Sequence, residues 1–248
     1  QPALDGRRLF MPRGKTLGGS SATNAMIYTR GHASDYDHWA ALGNRGWGYA
    51  DVLPLFMRSE HYEGGAGPFH GSGGPLNVAQ LRSPNVLSHA FIAAASEAGY
   101  PFNPDFNGAS QEGVNTYAVT QKIGERWSAA SAFLHPVRAR PNLEVLTQAH
   151  ASHVIFEGGR AAGIACLVRG KPAQVHARRE VLLAGGAINS PQLLMLSGIG
   201  PPEELARHGI DLIWGGTLTR AVSLETRRFG SNFLSVGRAQ SRTLRLSV

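Results

Sequence analysis

The segment Val181-Leu182-Leu183-Ala184-Gly185-Gly186-Ala187-Ile188-Asn189-Ser190-Pro191-Gln192-Leu193-Leu194-Met195-Leu196 sets the fold class of this 248-residue chain. Four apolar residues read as a buried strand, the paired glycines as a sharp turn, and Pro191 to Leu196 as a helix. Ser190 is a natural N-cap, and Pro191 suits the first helical position, where a missing N–H is no loss. A strand that feeds a helix through two glycines belongs to α/β architecture. The helix N-terminus it creates favours negative charge, which is a physical setting for a cofactor; alone, the segment reads equally as an ordinary βα connection.

Upstream of it, Leu143–Leu146, His153–Phe156 and Gly163–Val168 are short strand-like runs, and Glu157-Gly158-Gly159-Arg160 reads as a hairpin turn between two of them. Asn115–Ile123 alternates weakly and suggests a strand, and Ser128–Val137 looks helical with a break at Pro136. In the first hundred residues, Ser34 is placed to cap a helix running through Trp39 to Gly43. A second helix covers Tyr49–Glu60, with Pro54 tolerable only in its first turn, and Leu87, Phe91, Ala94 and Ala95 have helical spacing that ends at Gly99. Residues 61–75 are Gly-rich loop. The expectation is an α/β chain with some antiparallel meander.

A second glycine segment lies near the start: Gly14-Lys15-Thr16-Leu17-Gly18-Gly19-Ser20-Ser21-Ala22-Thr23-Asn24. Adjacent glycines let backbone approach a flat or anionic ligand, and Ser20, Ser21 and Asn24 add side-chain donors and acceptors. The spacing is neither a P-loop nor a GxGxxG dinucleotide fingerprint.

Composition narrows the classes. At 42% apolar and 17% charged, the chain can bury a core and is not a disordered one. No apolar run reaches the roughly 18 residues of a membrane span. A single cysteine, Cys166, excludes an internal disulfide framework and a Cys-based metal cluster, and the ten histidines show no paired-ligand spacing, so no metal site is expected. The net charge of +7 invites a nucleic-acid reading, but residues 217–248 hold six Arg against one Glu and so carry +5, leaving +2 for the preceding 216 residues. A near-neutral body argues against a specific nucleic-acid face.

Taken together, residues 14–37, continuing through Tyr28, Gly31 and Asp37, and residues 186–200, with Gly186, Ala187, Ser190, Pro191, Leu193, Leu194 and Ser197-Gly198-Ile199-Gly200, resemble the two signatures of the glucose–methanol–choline (GMC) flavin oxidoreductases. Asp35-Tyr36-Asp37-His38-Trp39, Gly46-Trp47, His70-Gly71, Asn107-Gly108 and Gly158–Gly163 agree, and the choline-dehydrogenase-like branch fits best. The resemblance spans about residues 1–214. It implies a partial FAD-binding Rossmann-like α/β domain with part of an antiparallel-sheet substrate domain: residues 1–60 and 140–214 mainly in the former, some of 61–139 approaching the latter.

It also implies oxidation of a small alcohol at CH–OH, with hydride passing to flavin N5; the electron acceptor stays open. Leu17, Gly18, Gly19, Ser20, Ser21 and Asn24 would lie along the flavin. Ala151 matches a position whose backbone contacts adenine in relatives, and Gly185, Gly186 and Ala187 would pack against the cofactor from the other side. Thr23 stands where some members carry a flavin-linking histidine, so FAD is expected to be non-covalent. No catalytic residue is assigned, since the family's catalytic histidine belongs to a region downstream of the second signature. Of the histidines here, His70 is the one a Gly-rich loop could place beside a substrate or flavin entrance.

The absence of the family's GxGxxG unit and of that downstream region leads to the expectation of an internal fragment, weakly active or inactive alone and binding FAD weakly or not at all. Residues 215–248, Arg-rich and lacking Lys and Pro, match nothing expected there and point to a frameshift or mis-joined end. Two rival readings stand beside this. One is a non-catalytic remnant whose basic tail binds anionic surfaces; the other is an amidase-signature serine hydrolase, disfavoured because Ala22-Thr23-Asn24 follows the serines. The expected compartment is the cytoplasm.

Overall fold

A computed structural model describes residues 5–6, 10 and 12–207 of the chain. Contacts divide it into two compact units, with the division between Glu144 and Val145.

The first unit opens on a glycine turn, closed by a short 3-10 stretch at Gly19–Ala22. Helix α1 (Ala33–Ala41) follows. Its cap is His32, not Ser34: His32 Nδ1 accepts the Ser34 amide, while the His32 amide donates to Asp35 Oδ2 at 2.9 Å. This is the reciprocal logic of a capping box with an imidazole as acceptor, a residue type that cap preferences do not rank. Helix α2 (Tyr49–Ser59) is tied to α1 by the Tyr49 amide, which donates to Asp37 Oδ1 at 2.8 Å. Tyr36 packs edge-on against Trp39 and Phe56, with ring centroids 5.4 and 5.7 Å apart. Pro54 sits within α2 and not in its first turn. Tyr49 and Phe56, one on each side of Pro54 in sequence, both pack on Tyr36 of α1, a tertiary contact that offsets the missing N–H.

Strand β1 (Glu60–Tyr62) leaves α2 directly and pairs in parallel with β2 (Leu76–Val78). Helix α3 (Val86–Glu97) is capped by Asn85, whose side chain accepts the Leu87 amide, and ends before Gly99 at φ +94°. The strand expected over Asn115–Ile123 is reduced to a hub: Val119 bridges both Ile27 and Ala79, and only Gln121–Lys122 (β3) forms a ladder, with β4 (Glu125–Arg126). Residues 128–137 coil as a π-helical turn at Ala130–Leu134 and a 3-10 turn at His135–Val137.

The second unit is an antiparallel meander of β5 (Ala149–Glu157), β6 (Arg160–Val168) and β7 (Lys171–His176) in that order. Gly158 and Gly159, at φ +56° and +84°, make the expected two-residue hairpin turn. Leu143–Leu146 forms no strand. Val154, Ala161 and Val181 form the core, with Phe156, Ile164 and Leu183 packed on it. Val181–Leu183 therefore does reach the core, but residues 181–184 join no sheet among the described residues.

Helix α4 spans Gly186–Leu196, five residues earlier than its sequence suggested. Gly185 is the N-cap, and its amide donates to Ser190 Oγ at 2.9 Å, so Ser190 serves the helix start from inside the first turns. Pro191 lies mid-helix, as Pro54 does in α2. At the other end Ser197 Oγ donates to the Leu193 carbonyl and accepts the Val154 amide at 2.8 Å, pinning α4 to β5. A short helix α5 (Pro202–Arg207) follows, with Leu205 fully buried. Residues 208–248, which include the Arg-rich stretch, lie outside the described residues.

Among the described residues no helix is long and apolar enough to cross a membrane, and no group of His, Cys, Asp and Glu could hold a metal. The structure is mixed α/β with small sheets, in agreement with a partial α/β domain.

Candidate functional site

The first unit brings Leu17, Gly18, Gly19, Ser20, Ser21 and Asn24 into one turn. Gly18 (φ +88°) and Gly19 (φ +55°) both take left-handed backbone, which explains the pair. The Gly19 amide donates to the Thr16 carbonyl at 2.9 Å, and the Asn24 amide to the Ser20 carbonyl at 2.8 Å, so the turn is closed at both ends. Leu17, Gly18 and Gly19 are half-buried, and Ser20 and Asn24 are exposed.

The serine hydroxyls have structural work to do. Ser20 Oγ accepts the Gly14 amide at 3.2 Å. Ser21 Oγ donates to the Gly18 carbonyl and accepts the Ala129 amide at 2.9 Å. The Ser21 hydroxyl thus shapes the turn from within, and the Asn24 NH2 end has no acceptor among the described residues. A nucleophilic serine of the amidase kind would need its hydroxyl next to a base; among the described residues neither Ser20 nor Ser21 has one as partner.

Three contacts from β4 and the segment after it hold this turn, and no local sequence signal announces them. Arg126 Nη1 donates to Asn24 Oδ1 at 2.8 Å and to the Ser21 carbonyl at 3.2 Å; the Ala129 amide supplies the third. The partners are more than a hundred residues apart in sequence, beyond the reach of any motif.

In the second unit, Ala151 lies exposed on β5 opposite Cys166, just before a bulge that separates it from His153. A bulge re-aims the backbone around it. Gly185, Gly186 and Ala187 form the exposed start of α4, with Gly186 at φ +84° and open space where a side chain would stand. The Gly186 and Ala187 amides open this eleven-residue helix, where the peptide dipoles favour an anionic group, while the Gly185 amide is taken by Ser190 Oγ.

A buried charge network lies apart from the glycine turn. Glu60, with no exposed surface, accepts from Arg30 Nη2 at 3.0 Å and from the Gly71 amide at 2.9 Å, and meets His70 Nδ1 at 3.1 Å. His70 Nε2 meets Asp105 Oδ2 at 2.9 Å, and its ring stacks on Tyr62 at 4.0 Å. Burial alone would lower the His70 pKa; the hydrogen bonds and charges of Glu60 and Asp105 outweigh it and raise it above the ordinary histidine value. Burial would likewise raise Glu60, but His70, the Gly71 amide and Arg30 hold it below the ordinary carboxylate value.

His70, the histidine that a Gly-rich loop could place beside a ligand entrance, is 7% exposed with both ring nitrogens engaged. It is a strut. Arg30 also donates to the Phe69 carbonyl at 2.6 Å, so the Gly-rich loop is fastened to the body from two sides. A cleft beside the start of α1, lined by Arg30, His32, Tyr49, Phe106, Asn107 and Gln111, includes none of the glycine-turn residues.

Comparison with known proteins agrees with the signatures. The GMC oxidoreductase family matches residues 1–235. The oxygen-dependent choline dehydrogenase of Brucella ovis is 48% identical over 213 residues, covering 86% of this chain and 39% of that protein. The mitochondrial choline dehydrogenase of Mus musculus is 47% identical, over 86% of this chain and 36% of its own length. Among solved structures, an FAD-dependent oxidoreductase from Chaetomium thermophilum superposes with a TM-score of 0.77 at 32% identity, covering 84% of this chain and 38% of that one. The chain therefore spans less than two-fifths of the length of these relatives.

Proposed function

The chain belongs to the GMC oxidoreductase family, and from that premise we propose that it forms the flavin-holding part of an FAD-dependent oxidoreductase that acts on the CH–OH group of a small alcohol of the choline kind. The observation that carries this reading is the glycine turn. It is a closed, half-buried turn with left-handed Gly18 and Gly19, open space outside Gly19, and an exposed Asn24 whose NH2 end has no acceptor among the described residues. That donor set fits a flat ligand rich in acceptors.

In this reading Leu17, Gly18, Gly19 and Asn24 hold FAD by backbone approach and one side-chain donor, with Ser20 and Ser21 shaping the turn. Ala151 offers backbone beside the bulge. Gly186 and Ala187 place helix-start amides where a negative group is favoured, and Gly185, whose own amide is held by Ser190, adds backbone without a side chain beside them. The bound flavin supplies the hydride acceptor, and the protein supplies position and electrostatics. With Thr23 in the linking position, attachment is non-covalent.

Titrating FAD into the protein and following quenching of its fluorescence tests the reading. Weak but saturable binding, with all the yellow colour released into the supernatant by denaturation, is the expected result. No saturable binding would overturn it, and colour that stays with the precipitated chain would overturn the non-covalent part. The choline preference rests on the Brucella and mouse relatives and is tested by turnover with choline against other primary alcohols.

The charge distribution favours a second reading for one end only. Residues 217–248 carry +5 of the +7 net charge and would bind anionic surfaces without sequence preference. Retention on an anionic resin that vanishes on deleting 217–248 is expected; unchanged retention would place the contact elsewhere. We keep the division at residue 214 and a cytoplasmic location as proposals, the latter open to cell fractionation.

A further inference from the structure

We propose that Arg126 is a positioning residue for the glycine-turn site: it fixes the Asn24 carboxamide so that its NH2 end, and not its oxygen, is offered to a bound acceptor. The inference rests on the flavin reading above.

Two donors converge on one oxygen. Arg126 Nη1 reaches Asn24 Oδ1 at 2.8 Å, and the Met26 amide reaches the same atom at 3.0 Å. Both are donors only, so the opposite amide orientation would set an NH2 group against a guanidinium and a backbone N–H. Oxygen and nitrogen are thereby told apart by chemistry, which is the proper ground for orienting an amide. With Oδ1 occupied twice, the Nδ2 protons of an exposed residue have no acceptor among the described residues. The matching ligand group is an acceptor without a proton of its own, such as a ring carbonyl or a phosphate oxygen.

Arg126 is itself held. Its hairpin closes through the β3–β4 pair, the next residue's indole donates to the Pro75 carbonyl at 2.8 Å, and Lys122 lies 4.7 Å from that Trp127 ring. The guanidinium also grips the Ser21 carbonyl, so one side chain sets both the path of the turn and the end of the amide it presents.

Three variants of the whole chain test this, with FAD as the probe and hydrogen exchange of residues 16–26 as a readout that needs no flavin. Asn24→Asp keeps an oxygen for Arg126 and Met26 but has no NH2. It should leave exchange of the turn as in the parent and weaken FAD by about tenfold, a loss that persists at high salt where simple repulsion is screened. Arg126→Met should speed exchange of the turn and weaken FAD by a similar factor; Arg126→Lys should restore part of both.

Parent-like FAD binding by Asn24→Asp overturns the donor assignment, and parent-like exchange in Arg126→Met overturns the positioning role. Should the parent chain show no FAD binding, the flavin reading fails. The Asn24 side-chain NH2 resonances then decide the positioning alone: a shift on Arg126→Met supports it, and no shift overturns it.

Discussion

Gly14 carries no side chain for a reason that lies five residues away. A Cβ built there would collide with the carbonyl of Gly19, the second glycine of the turn. Gly14→Ala must therefore push the Gly19 carbonyl aside, an overpacking cost of about 1–3 kcal/mol, and should weaken FAD together with lowering the melting temperature. Gly19→Ala meets open space, so its folding penalty is left-handed strain alone, about 1 kcal/mol, while its Cβ stands in the way of the flavin. Thermal melts and FAD titrations of the pair separate the two effects; equal losses in the melts would mean that the Gly14 contact is not what sets the turn. The two glycine segments were legible because glycine announces unusual backbone wherever it recurs. What each serine hydroxyl does was not legible. Ser21 looks like a ligand in sequence, and in the fold its hydroxyl also ties the turn to the Ala129 amide, 108 residues away and beyond any local pattern.

Elements show where local rules stop. The helix at Pro191 reads as starting at the proline because a missing N–H is harmless there, yet α4 begins at Gly186, and α2 likewise runs through Pro54. In both cases packing supplies what propensity withholds, and neither sequence pattern contains that packing. The β5–β6 hairpin was legible because Gly158-Gly159 demands one turn type. The tie between α4 and β5 was not, although Ser197 lies inside a recognised signature. Ser197→Ala would leave the buried Val154 amide without its acceptor, a loss of about 1–3 kcal/mol, read as a lower denaturation midpoint; an unchanged midpoint would show that the amide finds another partner. Glu60 is a larger case. It joins α2 and β1 to the Gly-rich loop, and Glu60→Ala strands Arg30 in the interior at about 3–5 kcal/mol, enough in a melt to decide whether the network is structural. The pair's pH dependence has a definite sign. His70 has a raised folded pKa, so its contribution is complete below about 6.5 and is lost as pH rises through the folded value. Glu60 has a lowered one, so its contribution is complete above about 4.5 and is lost as pH falls through the folded value. Melting temperature should therefore peak in the mildly acidic range between the two, and His70→Gln should flatten the alkaline limb. A parent limb no steeper than the variant's would remove His70 from the account.

At the scale of the whole molecule, composition misleads and partition informs. The +7 charge is largely a property of residues 217–248, whereas the proposed flavin contacts lie in two glycine segments, one in each unit. The pH-sensitive network, Arg30, Glu60, His70 and Asp105, belongs wholly to residues 1–144, and the Ser197–Val154 tie wholly to residues 145–248. Each unit has its own buried residues, Val78 and Val119 in one, Val154 and Leu205 in the other, so each has the means to open on its own. Hydrogen exchange then has a specific pattern to match. At mildly acidic pH, where His70 is charged in the parent, His70→Gln should speed exchange in peptides covering β1, β2 and residues 103–108 and leave β5–β7 at parent rates. Ser197→Ala should do the reverse. If His70→Gln loosened β5–β7 as much as β1 and β2, the two units would be one cooperative block, and the loss of any single buried tie would be felt at both glycine segments at once.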